Sequence, residues 1–486
     1  MKRAVALGCI IASLAATVCR GDLAGDVDAV LKDKFLQRAS VGIEIVRLGA
    51  TEAETQEIYQ RDGHAPLTPA SNLKLATTSA AIDRLGPDFK FRTILLMHDG
   101  DAVLIGDGDP AFEDSEYLKR VGWKPNAIYE NWCGRLKSLN ISSVRNVIVD
   151  DSVFDEEFLH PDWPANQIDH WYVAEVGGMN LNTNCVNLVI EPASSGGRVG
   201  LSLMPATHFV SIENSCVTGA NNVMIGRQPG TNQVVLKGQA PGGGPSEFQE
   251  TIHDPPLYAA TVLSETLDAA GIKVGGEVKR DRTIRQQRQK GPASLWRIVA
   301  IHETPLAVVL ARANKDSINL YAECLCKRLG HEVSGQGGSW TNGTAAVGEF
   351  LRHSGVPATE FRLDDGSGLS KHNAISASAL TRVLVHNYCG KNRDAFLSSL
   401  SVAGVDGTLQ DRFRGAGLRG RVVGKSGFVE GVSCLSGYLT TRDGDRYAFS
   451  ILMNGLPPKS NALAKALQEK IVEALDRHTG TATARR

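Results

Sequence analysis

The sequence predicts an α/β (α+β) fold, in which an antiparallel sheet is covered by helices and a large β-rich region is inserted. Segments that alternate like strands occur near both ends of the chain, at 41–47 and at 447–453, so one sheet would combine the two ends. Residues 462–477 carry their apolar side chains on one helical stripe. Residues 186–244 are instead rich in Gly, Ser and Asn and contain short β runs, which is typical of an insertion.

The elements before residue 110 follow from periodicity and turn residues. We predict helices at 26–38 and 71–85, and strands at 41–47, 58–60, 91–97 and 102–105. The last two strands flank Asp99-Gly100-Asp101, and Asp-Gly between apolar runs is a strong hairpin signal.

The later elements divide the chain into two regions. Further helices are predicted at 127–139, 256–270, 305–312, 317–329 and 462–477, and further strands at 144–149, 199–204, 233–237, 420–425, 432–441 and 447–453. We expect a discontinuous catalytic domain, residues 22–95 and 286–486, and an inserted region, residues 96–285, made of two subdomains.

Composition and the N-terminal residues bound the class of protein. The chain has 486 residues with 42% hydrophobic and 22% charged, a globular composition, and its formal net charge of −1 argues against nucleic-acid binding. Residues 1–21 have a basic start, an apolar stretch and small residues near the end, which predicts a signal peptide. The apolar run is shorter than the ~20 residues of a membrane span. We therefore expect an exported protein, periplasmic or extracellular, with membrane association left open.

The cysteines and histidines point to no cofactor. Seven of the nine Cys lie after the leader, and an odd, scattered set predicts buried apolar side chains rather than a disulfide framework. No His-Glu-x-x-His or Cys-x-x-Cys pattern occurs, so the local sequence predicts no metal site.

Three short motifs carry chemistry. Ser71 and Lys74 are three residues apart, so on a helix they share a face, and a deprotonated Lys74 amine could activate the Ser71 hydroxyl. Taken alone, the pair is more simply a helix N-cap and a solvated lysine. Ser317-Ile318-Asn319 could likewise be a helix start, and Lys425-Ser426-Gly427 a strand end with a turn. Their order, Ser-x-x-Lys, Ser-x-Asn and Lys-Ser-Gly, is that of penicillin-binding proteins and active-site-serine β-lactamases.

Longer strings around these motifs identify a family. From about Leu67 to the C-terminal region the chain resembles the class C low-molecular-mass penicillin-binding proteins, the D-alanyl-D-alanine carboxypeptidases and endopeptidases. Two of the strings that carry the resemblance contain the first two motifs, residues 67–75 and 314–323. The others are residues 108–110, 150–155 with 161–163 (Pro-Asp-Trp for the family's Pro-Gly-Trp), 365–370 and 402–409. The resemblance implies a penicillin-binding/serine β-lactamase-like transpeptidase domain.

The resemblance also implies a role for each motif residue. Ser71 would be the nucleophile, and Lys74 its base if burial and the charge of Lys425 lower the pKa of its amine. Ser317 would shuttle the proton to the leaving amine, and Asn319 would bind a substrate amide. Lys425 would supply positive potential near the substrate's terminal carboxylate.

The third motif departs from the family pattern. The family has Lys-Thr-Gly-Thr, whereas this chain has Lys425-Ser426-Gly427-Phe428. Ser426, Gly427 and Phe428 are expected to line the substrate site, and the backbone N–H groups of Ser71 and Phe428 to form an oxyanion hole. Phe428 lacks the hydroxyl that helps to hold the carboxylate in the family, so carboxylate affinity should be weakened.

The function implied is a serine-type D-alanyl-D-alanine carboxypeptidase/endopeptidase that acts on peptidoglycan stem peptides and binds β-lactam antibiotics. Three alternatives remain at the level of sequence: a β-lactamase, an esterase on the same scaffold, and a non-catalytic peptidoglycan-binding protein. The sequence leaves open the balance of carboxypeptidase and endopeptidase activity, the peptide side-chain preference and the oligomeric state.

Overall fold

The computed structural model describes residues 22–415 and 417–478, so the predicted signal peptide, residues 1–21, lies outside the described residues. The α-helices in these ranges are α1 (Leu23–Leu31), α2 (Lys74–Leu85), α3 (Ser115–Arg120), α4 (Ala127–Ser138), α5 (Pro255–Ala269), α6 (Ile284–Lys290), α7 (Leu306–Asn314), α8 (Asn319–Ser334), α9 (Trp340–His353), α10 (Ala377–Cys389), α11 (Arg393–Ser398) and α12 (Asn461–Arg477). Within the described ranges, no helix is long and apolar enough to cross a membrane.

The strands in the same ranges are short in the middle of the chain and longer near its ends. They are β1 (Ser40–Arg47), β2 (Gln56–Arg61), β3 (Lys90–His98), β4 (Asp101–Ile105), β5 (Ser143–Val144), β6 (Val147–Asp150), β7 (Cys185–Glu191), β8 (Gly200–Met204), β9 (Ser211–Asn214), β10 (Val217–Gly219), β11 (Met224–Arg227), β12 (Gln233–Lys237), β13 (Gln239–Pro241), β14 (Ser246–Thr251), β15 (Lys273–Val274), β16 (Val278–Arg280), β17 (Arg297–Pro305), β18 (Phe361–Arg362), β19 (Ala374–Ile375), β20 (Ser401–Val402), β21 (Val422–Val429), β22 (Val432–Thr440) and β23 (Arg446–Asn454).

The main sheet joins the two ends of the chain, as predicted. Its six strands have the order β2-β1-β23-β22-β21-β20, and every neighbouring pair is antiparallel. β1 pairs with β23 from Ser40↔Asn454 to Arg47↔Tyr447. The antiparallel sheet covered by helices is therefore confirmed.

Each face of this sheet is buried, because side chains of a strand alternate between the two faces. On β23, Phe449 and Ile451 belong to the core formed with α1 and α12, whereas Ala448 and Leu452 belong to the core formed with α2 and α10. Full burial of one such large apolar side chain stabilises the fold by ~1.5–3 kcal/mol. Helices on both faces hold this sheet, whose strand β21 carries the third motif.

The middle of the chain forms several smaller sheets. The largest has the order β16-β6-β4-β3-β17, and a core that includes Leu95, Leu104 and Val149 packs it against α4 and α5. Three further sheets, β14-β7-β8, β11-β12-β9 and β10-β13, lie between residues 185 and 251. The bounds of the inserted region, 96–285, stay a prediction.

Local structure differs from the sequence prediction at particular points. The predicted helix 317–329 begins at Asn319, and Ser317 has left-handed backbone with φ +61°. The sequence analysis assigned no helix to Ala377–Cys389, because most sides of this helix are buried and no apolar stripe stands out. The thiols after the leader are free and all but that of Cys389 are buried, which confirms the prediction for most of the cysteines.

Candidate active site

The nucleophile segment lies where a tight turn enters a buried helix. Ser71 belongs to a 3₁₀ turn, Ala70–Leu73, and Lys74 is the first residue of α2. Residues three apart eclipse one another in a 3₁₀ turn, so Ser71 and Lys74 share a face although the helix begins later than predicted. Lys74 Nζ lies 2.9 Å from Ser71 Oγ.

Lys74 is fully buried and surrounded by oxygen atoms. Besides Ser71 Oγ, its Nζ donates to Asn319 Oδ1 at 2.7 Å and to the carbonyl oxygen of Ser367 at 2.9 Å. An ammonium group would donate to all three oxygens. A neutral amine would donate to the amide and the carbonyl and accept the proton of the Ser71 hydroxyl. The same geometry therefore suits both protonation states of Lys74.

Burial lowers the pKa of Lys74 to about 8, and the nearby carboxylates of Glu323 and Asp365 oppose this shift by raising it. The charge of Lys425, predicted above as a second cause, is not among the causes of this lowering. Instead, burial and then the charge of Lys74 lower the pKa of Lys425 well below its ordinary value. Lys74 can therefore lose a proton near neutral pH, and burial favours the neutral form of Lys425.

The second motif connects the two lysines. Ser317 Oγ accepts a hydrogen bond from Lys425 Nζ at 2.7 Å. Asn319, two residues later, accepts a hydrogen bond from Lys74 through Oδ1 and donates one through Nδ2 to the carbonyl oxygen of Tyr172 at 2.8 Å. The five residues predicted to be catalytic, Ser71, Lys74, Ser317, Asn319 and Lys425, are thus brought together by hydrogen bonds and by the change in backbone direction at Ser317.

The unusual backbone of Ser317 is held from its N-terminal side. Asp316 accepts hydrogen bonds from Arg120 at 2.8 Å and from Arg312 at 2.7 Å. Arg312 is itself buried and bonds Asp114 at 2.6 Å. This ion-pair chain fixes the residue before Ser317, and a left-handed serine needs such support because the conformation is strained for residues with a Cβ.

The third motif lies on β21, which packs directly against the nucleophile turn. A Cβ on Gly427 would lie 2.8 Å from the carbonyl oxygen of Pro69 and 3.0 Å from the backbone nitrogen of Asn72, so only glycine permits this approach. Lys425 and Gly427 are buried, whereas Ser426 is half-buried and Phe428 is 55% exposed, which is the alternation of a strand. Ser426 and Phe428 therefore lie on the same face of β21, opposite to the buried face that carries Lys425 and Gly427.

Glu323 is a residue of the site that the sequence analysis missed. Its fully buried carboxylate accepts the N–H of Ser367 at 2.7 Å, the N–H of Gly366 at 2.9 Å and the indole N–H of Trp340 at 2.8 Å. Burial, followed by the charge of Asp365, raises its pKa to about 7. Glu323 thereby positions the loop whose Ser367 carbonyl binds Lys74.

Sequence signals for the missed residues were weak. Glu323 lies four residues after Asn319 and so on the same face of α8, but a helical glutamate is ordinarily exposed. Tyr172 contributes a backbone carbonyl from a short 3₁₀ turn, Trp171–Val173, which no side-chain pattern predicts.

The fold and the Ser-Lys pair define a serine hydrolase of the penicillin-recognising class. Residues 23–478 match the D-Ala-D-Ala carboxypeptidase 3 (S13) family. The chain belongs to this family, and the family resemblance noted from its motifs is confirmed.

Individual relatives agree with this assignment. The chain is 30% identical over 488 residues to a D-alanyl-D-alanine carboxypeptidase of Actinomadura sp. (strain R39), covering 94% of this chain and 85% of the relative. The crystal structure of penicillin binding protein 4 (dacB) from Haemophilus influenzae matches with a TM-score of 0.75 and 23% identity over 93% of this chain and 99% of that chain. The same protein complexed with a β-lactam matches with a TM-score of 0.71, 23% identity and the same shares of the two chains. At this identity the structural likeness concerns the fold.

Proposed function

We propose that the protein is a serine-type D-alanyl-D-alanine carboxypeptidase/endopeptidase that acts on peptidoglycan stem peptides and binds β-lactams. The observation that carries the proposal is the contact of the buried Lys74 amine with Ser71 Oγ at 2.9 Å, in a chain of the S13 family. The family and its relatives support a peptidase over the β-lactamase, esterase and non-catalytic alternatives.

Acylation would begin with the attack of Ser71 Oγ on the carbonyl carbon between two D-alanines. As the O–C bond forms, the hydroxyl proton passes to neutral Lys74, whose low pKa makes that form available. The C–N bond then breaks, and the leaving amine takes a proton from Ser317, which regains one from Lys425 through their 2.7 Å hydrogen bond. Water then attacks the acyl carbonyl carbon and gives a proton through Ser317 to Lys425. The ester C–O bond breaks, Lys74 returns its proton to Ser71 Oγ, and both lysines regain their starting states.

Substrate would be held by the exposed face of β21. Backbone N–H groups of Ser71 and Phe428 would donate to the developing oxyanion, a contribution of ~3 kcal/mol per donor in comparable sites. The Ser426 hydroxyl would bind the terminal carboxylate. An arriving carboxylate also favours the charged form of Lys425, which burial disfavours in the free protein. One N–H of Asn319 remains for a substrate amide.

The cellular setting is part of the same proposal. The leader-like residues 1–21 support export to the periplasm or cell exterior, where peptidoglycan is found. We also propose that residues 22–95 and 286–486 form the catalytic domain and that residues 96–285 form the insert.

A labelling experiment followed by a hydrolysis assay tests the function. Fluorescent penicillin should label the folded protein but not a Ser71→Ala variant, and mass spectrometry should place one adduct on the Ser71 peptide. The protein should release D-alanine from a pentapeptide, and comparison with a cross-linked peptide dimer gives the balance of the two peptidase activities. An adduct elsewhere, or labelling without any peptide hydrolysis, would contradict the proposal.

A further inference from the structure

Two histidines and two aspartates lie close together where the segment before Trp163 contacts the active-site loop, which we define as residues 364–373. His160 and Asp162 come from the segment before Trp163, and Asp364 and His372 come from the active-site loop. We propose that Asp162, Asp364 and His372 form a binding site for a divalent transition-metal cation, with Zn²⁺ the best match.

Pairs of the proposed ligand atoms lie near the spacing that a metal ion requires. His372 Nδ1 lies 3.2 Å from Asp162 Oδ2 and 4.0 Å from Asp364 Oδ2. One ligand atom from each of His160, Asp162 and Asp364 also lies within 4.8 Å of the others. Tetrahedral zinc ligands, with bonds of about 2.0–2.2 Å, lie about 3.4 Å apart. Small side-chain rotations would therefore complete a three-ligand site with room for water.

Charge also favours a cation at this position. Among the described residues, Asp162 and Asp364 form ion pairs only with His160 and His372 and with no lysine or arginine. Two carboxylates this close repel each other, because Coulomb energy grows as the distance falls. A divalent ion would remove that repulsion more completely than the single positive charge that a histidine can carry.

The two histidines have different parts. His160 is 5% exposed, and its Nδ1 accepts the backbone N–H of Asp162 at 3.1 Å. The imidazole proton must then be on Nε2, which faces the carbonyl oxygen of Asp364 at 3.0 Å. Both nitrogens of His160 are therefore engaged, and this ring holds the two aspartate segments together. The exposed His372 keeps a nitrogen for the metal.

The donor set indicates which ion fits. One imidazole and two carboxylates suit zinc and its neighbours in the first transition row, whereas calcium and magnesium prefer oxygen donors alone. The hydroxyl of Ser370 donates to Asp364 Oδ2 and would orient that ligand. Asp162 stands at the glycine position of the family's Pro-Gly-Trp stretch, so this carboxylate is not part of the resemblance.

The site would connect the segment before Trp163 to the catalytic centre. Asp365, adjacent to Asp364, accepts the indole N–H of Trp163 at 3.0 Å. In the same loop, the carbonyl oxygen of Ser367 accepts from Lys74 at 2.9 Å. A bound cation would add a further link between these segments, so we expect it to stabilise the loop that orients Lys74.

Calorimetry with zinc on the full chain tests the site. Wild-type protein is freed of metal with a chelator, titrated with ZnCl₂ at pH 7.5, and compared with Asp162→Asn and His372→Gln. The matched control is His208→Gln, because His208 is fully exposed and pairs with the single carboxylate of Glu265 at 3.3 Å. We expect one saturable equivalent in wild type and control, and at least tenfold weaker binding in the two site variants. CaCl₂ and MgCl₂ should bind more weakly than ZnCl₂.

A thermal measurement gives a second readout. Zinc should raise Tm in wild type and in His208→Gln but not in Asp162→Asn or His372→Gln. Penicillin labelling of all variants shows that each is folded, so failure of the metal site is distinct from failure of the proposed peptidase. Absence of one-to-one zinc binding in wild type, or zinc binding by both site variants that is as tight as in wild type, would overturn the inference.

Discussion

Replacing Phe428 by threonine tests what holds the terminal carboxylate of the substrate. The Phe428 side chain is 55% exposed and shares a face of β21 with Ser426. Its truncation leaves no buried cavity, so the free energy of unfolding should change by less than about 0.5 kcal/mol. An effect on activity can therefore be assigned to the substrate site rather than to folding.

The expected gain follows from one added hydrogen bond. A hydrogen bond to a charged group contributes ~1.5–3 kcal/mol, and about 1.4 kcal/mol corresponds to a tenfold change, so kcat/KM should rise roughly 10- to 150-fold. Phe428→Val is the matched control, because valine has the shape of threonine without its hydroxyl. The difference between the threonine and valine variants isolates the hydrogen bond from the loss of the ring.

The assay compares two substrates of similar size. One is a D-alanyl-D-alanine peptide, and the other is a thioester without a terminal carboxylate, which needs the same acyl transfer. Phe428→Thr should raise kcat/KM for the peptide far more than for the thioester, and Phe428→Val should raise neither selectively. Equal changes for both substrates would show that Phe428 does not limit carboxylate recognition. An equal selective gain in the two variants would assign the effect to loss of the ring and refute the role of the hydroxyl.

Three further predictions concern the catalytic network. The rate of penicillin acylation, measured by stopped-flow labelling, should rise with pH and level off above about 8. The reason is that burial lowers the pKa of Lys74 to about 8 and only its neutral amine accepts a proton. A flat profile from pH 6 to 9 would exclude Lys74 as the base. In Glu323→Gln the midpoint of this pH profile should move to lower pH, since a carboxylate that raises the Lys74 pKa is gone. Urea unfolding of this variant should show a free energy of unfolding lower by ~1–3 kcal/mol, because a buried N–H loses its acceptor. Gly427→Ala should cost ~1–3 kcal/mol by overpacking against the backbone of Pro69 and should reduce labelling, whereas Gly134→Ala, where a Cβ meets nothing within 4 Å, should leave labelling unchanged.

Local patterns in the sequence correctly predict several helices and strands. The amphipathic segment predicted at 462–477 is α12, Asn461–Arg477, and the strand predicted at 233–237 is β12, Gln233–Lys237. The spacing of Ser71 and Lys74 predicted that they share one face, because residues three apart meet in either kind of helical turn. Their action as a pair was predicted from the order of the motifs, and the longer strings around the motifs identified the family. The roles of the five motif residues and the domain bounds remain predictions from the same source.

Tertiary structure alone decided which charges are buried and what faces them. Glu323 lies in the site because of its place on α8, and Tyr172 because of a short 3₁₀ turn. Burial lowers the pKa of Lys74, and nearby carboxylates oppose that lowering, whereas Lys425 does not contribute to it. The approach of Asp162 to His372 likewise has no local motif. The physical reason is that desolvation and Coulomb interactions depend on distances between segments far apart in the chain, whereas periodicity and turn residues act between neighbours.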